Sequence, residues 1–274
     1  MVNAFSPDST AAAEPTPAQK LILGDRLLVI AHRGNSSVTP ENTLAAFQSA
    51  IDVQSDLVEL DYYHSADGVP VVIHDDLLDR TTNAEEVLGQ AKLTVREQSL
   101  ADLRKLDVGS WFDTRFAGTK LPTLEESLDL IQARSVTLIE RKKGDAVTLI
   151  KLLEEKKLLD TVVVQAFDWE FVAECRKLAP RLALGTLSNK PANDDQIRAA
   201  VATGANLIVW DHQKIGRPQI ELIHQLGKKA WIYTVDDLDK ASLFIAGGID
   251  GIITNEPAEV IKLRSHVAGT RRRQ

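Results

Sequence analysis

His32 and His74 frame two carboxylates, Glu59 and Asp61. They sit in three short segments, Ala31-His32-Arg33-Gly34, Glu59-Leu60-Asp61 and Val71-Val72-Ile73-His74-Asp75. Two histidines can work as an acid and a base near neutral pH. Carboxylates one residue apart on a strand point the same way, because strand side chains alternate between faces. A third carboxylate, Glu140, ends the β-rich run Val136-Thr137-Leu138-Ile139-Glu140. Three such groups converging would repel by roughly 4 kcal/mol per pair at about 4 Å and an effective dielectric of about 20. A divalent cation removes the repulsion. All-oxygen donors favour Mg²⁺ or Ca²⁺, and no Cys/His cluster suggests zinc. Each carboxylate alone reads more simply as a salt-bridged strand end, and each histidine alone as a structural one. Their grouping is what points to chemistry on a phosphate ester.

Cations complete the set. The Arg33 guanidinium suits two parallel hydrogen bonds to a phosphate. Lys142 lies two residues after Glu140 and should share its inward face, where it could hold a phosphate oxygen or neutralise the carboxylates. A surface lysine following a strand is the competing reading. Arg141 should point away from the pocket. The other histidines, 64, 212, 224 and 266, read as structural or solvated, with His64 nearest the mouth.

The elements that must position these groups alternate. Strand candidates are 27–32, 57–63, 70–74, 136–141, 161–166, 182–187, 206–210, 229–235 and 249–253, with helical patterns at 41–53, 123–133, 145–158 and 216–226. Alternation of this kind implies parallel strands with helical crossovers. Thr39-Pro40 reads as cap and first turn of the first of these helices. Nine strands are one too many for an eight-stranded barrel. The gap His64-Ser65-Ala66-Asp67-Gly68-Val69 resolves the count. It is too short for a parallel crossover, but an Asp-Gly turn makes an antiparallel hairpin. So 70–74 folds back beside strand two and returns His74 towards Asp61. Residues 76–121 have weak periodicity and read as an excursion before the next barrel helix. The expected fold is a (β/α)₈ TIM barrel, whose active sites lie at the carboxyl ends of the strands.

The chain resembles the glycerophosphodiester phosphodiesterases. The resemblance runs through His32-Arg33-Gly34, Pro40-Glu41-Asn42-Thr43, Glu59-Leu60-Asp61, Asp67-Gly68, His74-Asp75 and Leu78-Asp79-Arg80-Thr81-Thr82. It continues with Pro122-Thr123-Leu124-Glu125, Glu140-Arg141-Lys142, Gln165-Ala166-Phe167-Asp168, Tyr233-Thr234-Val235-Asp236 and Asp250-Gly251-Ile252-Ile253-Thr254. So many motifs in family order are specific. The resemblance implies hydrolysis of a small glycerophosphodiester to glycerol 3-phosphate and an alcohol. It implies His32 and His74 as catalytic, Glu59, Asp61 and Glu140 as metal ligands, and a variable insertion at 76–121. Phe167, Trp231 and Tyr233 would line the wall for the substrate, against barrel core as the simpler reading. This chain departs from the family's usual tryptophan at Tyr233, asparagine at Asp236, serine at Ala166 and apolar residue at Arg141. Trp231 would then supply the missing ring.

A lysophospholipase D-like or sphingomyelinase D-like phosphodiesterase on the same barrel is a rival. A long-chain substrate would want an apolar groove, for which the insertion offers Trp111, Phe112 and Phe116. A binding protein that has lost catalysis is a rival of another class, opposed by the retained histidines and carboxylates.

Composition sets the bounds. A chain of 274 residues suits one barrel with a tail to spare. The net charge of −7 argues against a nucleic-acid binder. Cys175 is the single cysteine, so an internal disulfide is excluded, which fits a reducing, cytoplasmic setting. No apolar run reaches membrane-spanning length, and the start lacks the pattern of a secretory signal. The expected division is a flexible N-terminal tail at 1–22, one barrel domain at 23–266 and a basic C-terminal tail at 267–274.

Overall fold

A computed structural model describes residues 14–271. Its strands are β1 (Leu28–Ala31), β2 (Leu57–His64), β3 (Pro70–Val72), β4 (Val136–Arg141), β5 (Val163–Ala166), β6 (Ala183–Ser188), β7 (Leu207–Asp211), β8 (Lys229–Tyr233) and β9 (Gly251–Thr254). Its helices are α1 (Pro17–Ile22), α2 (Leu44–Asp52), α3 (Ala84–Leu88), α4 (Leu100–Leu103), α5 (Leu124–Gln132), α6 (Ala146–Glu155), α7 (Trp169–Leu178), α8 (Asp194–Ala202), α9 (Arg217–Gln225), α10 (Leu238–Ala246) and α11 (Pro257–Arg271).

Eight parallel strands close a ring in the order β1-β9-β8-β7-β6-β5-β4-β2, sealed by the pairing of β1 with β2. This is the (β/α)₈ barrel the alternation implies. The ninth strand, β3, lies outside the ring. It runs antiparallel along the extension of β2, with Tyr62 opposite Val72 and His64 opposite Pro70. The Asp67-Gly68 turn makes the hairpin, with Gly68 at φ 79°. β2 is the longest strand because its last turn of chain serves the hairpin rather than the barrel.

The insertion carries a small core of its own. Leu78, Val95, Leu103, Leu106, Val108 and Leu121 pack against Val71, Ile73 and Tyr63. Its helices α3 and α4 are too short to hold themselves, so this burial must stabilise them.

Three expectations are corrected. Residues 14–22 are not a tail: Thr16 caps α1 in a capping box with Gln19, and Ala18 and Ile22 are buried. They pack on Leu28, Leu57, Leu138, Val163, Ala183 and Leu207, residues near the strand starts. α1 therefore plugs the barrel floor. The rest of the supposed tail, 1–13, lies outside the described residues. At the other end, α11 continues through Arg271, beyond the boundary expected at 266, while Arg272 and Arg273 lie outside the described residues. Finally, the cap of α2 is Thr43, not Thr39. Thr39 instead donates its hydroxyl to the Asn35 carbonyl at 2.6 Å. Asn42 sits at φ 57°, a conformation that no helix can pass through.

Candidate active site

The mouth of the barrel is built from loops and strand ends that fold tightly over one another. Arg33 follows β1 in the left-handed region at φ 56°, which is costly for a residue with a Cβ. That turn aims the Arg33 amide at Glu59 Oε2, 2.7 Å away. Asn42 donates its side-chain amide to Asp61 Oδ2 at 2.9 Å and accepts the Asp61 backbone N–H at 3.1 Å. The β1–α2 loop thus fastens both carboxylates of β2 from above.

Glu59, Asp61 and Glu140 are buried, and a ligand oxygen from each lies within 4.8 Å of the others. The register explains this, since Asp61 pairs with Glu140 across the β2–β4 ladder. Glu59 Oε1 and Asp61 Oδ1 have no hydrogen-bond partner although both are shielded from solvent. Orphaned carboxylate oxygens at this depth are costly. Buried oxygens with free lone pairs, all hard donors, fit a divalent cation. The electrostatics agree. Burial, then Asp61 and Glu140, push the Glu59 carboxyl well above its usual range. Burial, then Asp61, raise Glu140 to about 7. Burial also opposes ionisation of Asp61, but Arg33 and Lys142 outweigh it and hold that group low.

The two cations sit where an anion would meet them. Arg33 pairs with Glu41 at 2.8 Å and approaches Asp61 at 3.3 Å. Lys142 Nζ lies 2.8 Å from Glu140 and 3.7 Å from Asp61. Arg141 points outward, as its position in β4 requires. Its guanidinium lies over the Phe171 ring and pairs with Asp168 at 2.9 Å.

Both histidines face the carboxylates with Nδ1 engaged behind. His32 Nδ1 is 2.7 Å from Asn255 Oδ1. His74 Nδ1 is 2.5 Å from Asp75 Oδ1. Acceptors at both Nδ1 atoms place the neutral-ring proton there and leave Nε2 as the acceptor, which on His74 takes the Lys142 ammonium at 3.1 Å. Burial, then Arg33, lower the His32 pKa to about 4. Burial, opposed by Asp61, also lowers that of His74.

Of the expected aromatics, two reach the mouth. Phe167 is 42% exposed and stands edge-on to Tyr233, with ring centroids 6.0 Å apart. Tyr233 donates its hydroxyl to the Ser188 carbonyl at 2.9 Å. Trp231 is a correction: it is fully buried in the barrel interior, against Gly251. Two positions below Tyr233 on the same face of β8, it points into the closed core rather than the open mouth.

Two clefts open beside Lys142 and Phe167. One, about 450 Å³, is lined by Tyr63, His74, Leu77, Asp79, Arg80 and Lys142. The other, about 290 Å³, is lined by Phe167, Trp169, Leu187, Ser188 and Lys190. Lys142 of the first cleft has its Nζ 5.8 Å from the centre of the Phe167 ring of the second.

Several supporting residues had no role in the sequence reading. Arg80 donates to both Glu41 oxygens at 2.8 and 2.7 Å and to Asp75 at 2.5 Å. It links the carboxylate behind His74 to the one beside Arg33. Glu41, Asn42, Asp75 and Arg80 all fall in quoted motifs, which was the available signal. Asn255 falls just beyond the last of them, and nothing in the sequence marked it.

A model of the glycerophosphoryl diester phosphodiesterase family matches residues 32–259, which takes in all of these groups. The chain belongs to that family. A glycerophosphodiester phosphodiesterase of Caldanaerobacter subterraneus is 34% identical over 87% of this chain and 98% of its own. Another, from Bacillus subtilis, is 32% identical over 86% of each chain. Among solved structures, an Oleispira antarctica phosphodiesterase in complex with its product sn-glycerol-3-phosphate superposes with a TM-score of 0.79. It is 26% identical and covers 86% of this chain and 96% of its own. A glycerophosphodiester phosphodiesterase of Agrobacterium tumefaciens is 28% identical, with a TM-score of 0.72, and covers 85% of this chain and 97% of its own. The family assignment makes this chain an enzyme, a phosphoric diester hydrolase. Among the described residues, no helix is long and apolar enough to cross a membrane.

Proposed function

We propose that this chain hydrolyses a glycerophosphodiester to glycerol 3-phosphate and a free alcohol. The observation that carries the reading is the buried trio Glu59, Asp61 and Glu140 with Arg33 and Lys142 against it and both His32 and His74 close enough to act on Asp61. The product held by the Oleispira antarctica relative supports the same class of substrate.

Glu59, Asp61 and Glu140 would hold a divalent metal, Mg²⁺ or Ca²⁺. Such an ion supplies Lewis acidity at a phosphate oxygen and neutralises the charge of the trio. Arg33 and Lys142 bind the phosphate and fix its orientation between the clefts. His32, backed by the neutral amide of Asn255, keeps a lone pair on Nε2 and accepts the proton of the attacking hydroxyl. His74, backed by the Asp75 carboxylate, is the better suited to carry positive charge; once a bound phosphate draws Lys142 off Nε2, the protonated ring gives its Nε2 proton to the departing alcohol. Phe167 and Tyr233 form an apolar wall that limits water at the reacting centre.

A lysophospholipase D-like or sphingomyelinase D-like activity is a second reading. It is favoured by Trp111, 40% exposed and edge-on to Phe112, with Phe116 beyond. Release of alcohol from a panel of glycerophosphodiesters and lysolipids, with and without chelator, tests both. Turnover of the small diesters supports the first reading. Turnover of lysolipids alone replaces it with the second. No metal-dependent turnover of any member overturns both.

A further inference from the structure

Behind His32 stands a residue that touches neither metal ligand nor substrate cleft. Asp236 follows β8 in the loop leading to α10. Its Oδ1 accepts the Asn255 backbone N–H at 2.8 Å and the Thr254 hydroxyl at 3.1 Å. Its Oδ2 accepts the Asn255 side-chain amide at 2.7 Å. The opposite end of that side chain, Oδ1, faces His32 Nδ1 at 2.7 Å and takes the Ser36 hydroxyl at 2.9 Å.

An asparagine is ambiguous by itself, because its amide can turn end for end. A carboxylate is not ambiguous, since it only accepts. With Asp236 ionised, the NH₂ of Asn255 must face it, and the carbonyl oxygen must face His32. That oxygen in turn can only accept, so the neutral His32 ring must carry its proton on Nδ1.

We propose that Asp236 is a positioning residue. Acting through Asn255, it fixes the tautomer of His32 and keeps the Nε2 lone pair turned to the reacting centre. The proposal rests on the reading of His32 as a proton acceptor only for its consequence in turnover. The proton's place on the ring is a separate observable.

Asp236→Asn is the informative change, being nearly isosteric. If its oxygen stays on the Asn255 backbone amide, its NH₂ replaces Oδ2 and becomes a donor. The Asn255 side chain must then turn round and offer its NH₂ to His32 Nδ1. The ring proton moves to Nε2, and the acceptor face becomes a donor face. A second change should undo this. In Asp236→Asn combined with Asn255→Asp, residue 255 is an acceptor whichever way it turns, and Nδ1 regains its proton.

Two-bond ¹H–¹⁵N spectra of histidine-labelled protein report the tautomer directly, with His32 identified by loss of its signal in His32→Gln. The expected result is Nδ1–H in the unaltered protein, Nε2–H or a mixture in Asp236→Asn, and Nδ1–H again in the double variant. Turnover should fall about 10- to 100-fold in the single variant with KM nearly unchanged, and recover in the double. Nε2–H in the unaltered protein overturns the proposal, as does an Nδ1–H signal that survives Asp236→Asn. A tautomer shift without loss of turnover supports the relay but removes His32 from the chemistry.

Discussion

Lys142 Nζ and His74 Nε2 lie 3.1 Å apart, so the lysine donates to the ring nitrogen that faces the site. The same Nζ holds Glu140 at 2.8 Å. One cation therefore caps both His74 and Glu140, and on the proposed reading an incoming phosphate would compete for it. Lys142 is also one of the charges that depress the His74 pKa, after burial and alongside Arg33. Lys142→Met should move the His74 titration midpoint upward and weaken substrate binding. A histidine NMR titration checks the first effect and KM the second; a midpoint that stays put or falls contradicts the contact.

Metal dependence should be tied to pH through Glu140. Its pKa, about 7 against an ordinary 4.5, is raised in the folded protein. A raised group contributes stability fully below its unfolded value, and loses it as pH climbs through the folded one. Without metal, the melting temperature should decline between about pH 5 and pH 7.5. Saturating Mg²⁺ or Ca²⁺ should flatten that decline, and Glu59→Gln should weaken the rescue. Calorimetry near pH 6 should detect protons released on metal binding. A metal-free melting curve that rises over this range would count against the buried trio.

Removing either histidine should be costly on its own. One general acid or base typically contributes about 10²- to 10⁴-fold. His32→Ala and His74→Ala should each lose about that in kcat while still binding metal. The double variant should lose less than the product if, as proposed, the two act on one proton-transfer sequence. Single-turnover rates are the measurement, and near-normal chemistry in His74→Ala would sink the pairing.

The nucleophile can be located by substrate chemistry. In a glycerophosphodiester the hydroxyl beside the ester carbon can reach phosphorus and close a five-membered ring, with a proximity advantage over water. His32 would take its proton while His74 protonates the departing alcohol. In a second step water opens the cyclic phosphate and the roles reverse. A substrate lacking that hydroxyl should bind without turning over, and a cyclic phosphate should appear early in the normal reaction. Efficient hydrolysis of the deoxy substrate would establish direct attack by water.

Trp231 sets a packing prediction. A Cβ on Gly251 would stand 2.6 Å from the Trp231 ring, where neighbouring strands leave no room. Gly251→Ala should destabilise the barrel by roughly 1–3 kcal/mol through overpacking. Thermal melts check it. An unchanged melting temperature would mean the indole has space to move.

Most of the barrel was legible because strands and helices here carry their periods plainly. β4, for instance, was read at the residues it occupies. The carboxylate trio was legible because alternation along β2 and strand-end position are local properties of the chain. What escaped depends on depth or on long-range partners. Trp231 and Tyr233 share a face of β8, and sequence says nothing of which lies in the core and which at the mouth. α1 is short and follows an Ala/Pro-rich stretch, so its role as floor plug exists only once the strand starts are gathered. Asn255 meets His32 across 223 positions of chain, and an isolated asparagine carries no pattern that would announce the contact.

The two histidines belong to different mechanical units. His32 is set by β1 and the closed ring. His74 follows β3, outside the ring, on a segment held by Leu78, Leu103, Leu106 and their neighbours in the insertion's own small core. Loosening that core would displace His74, on the proposed reading one half of the proton machinery, while the barrel stays whole. On heating, catalysis should therefore fail as a local melting event, before the ring of strands gives way.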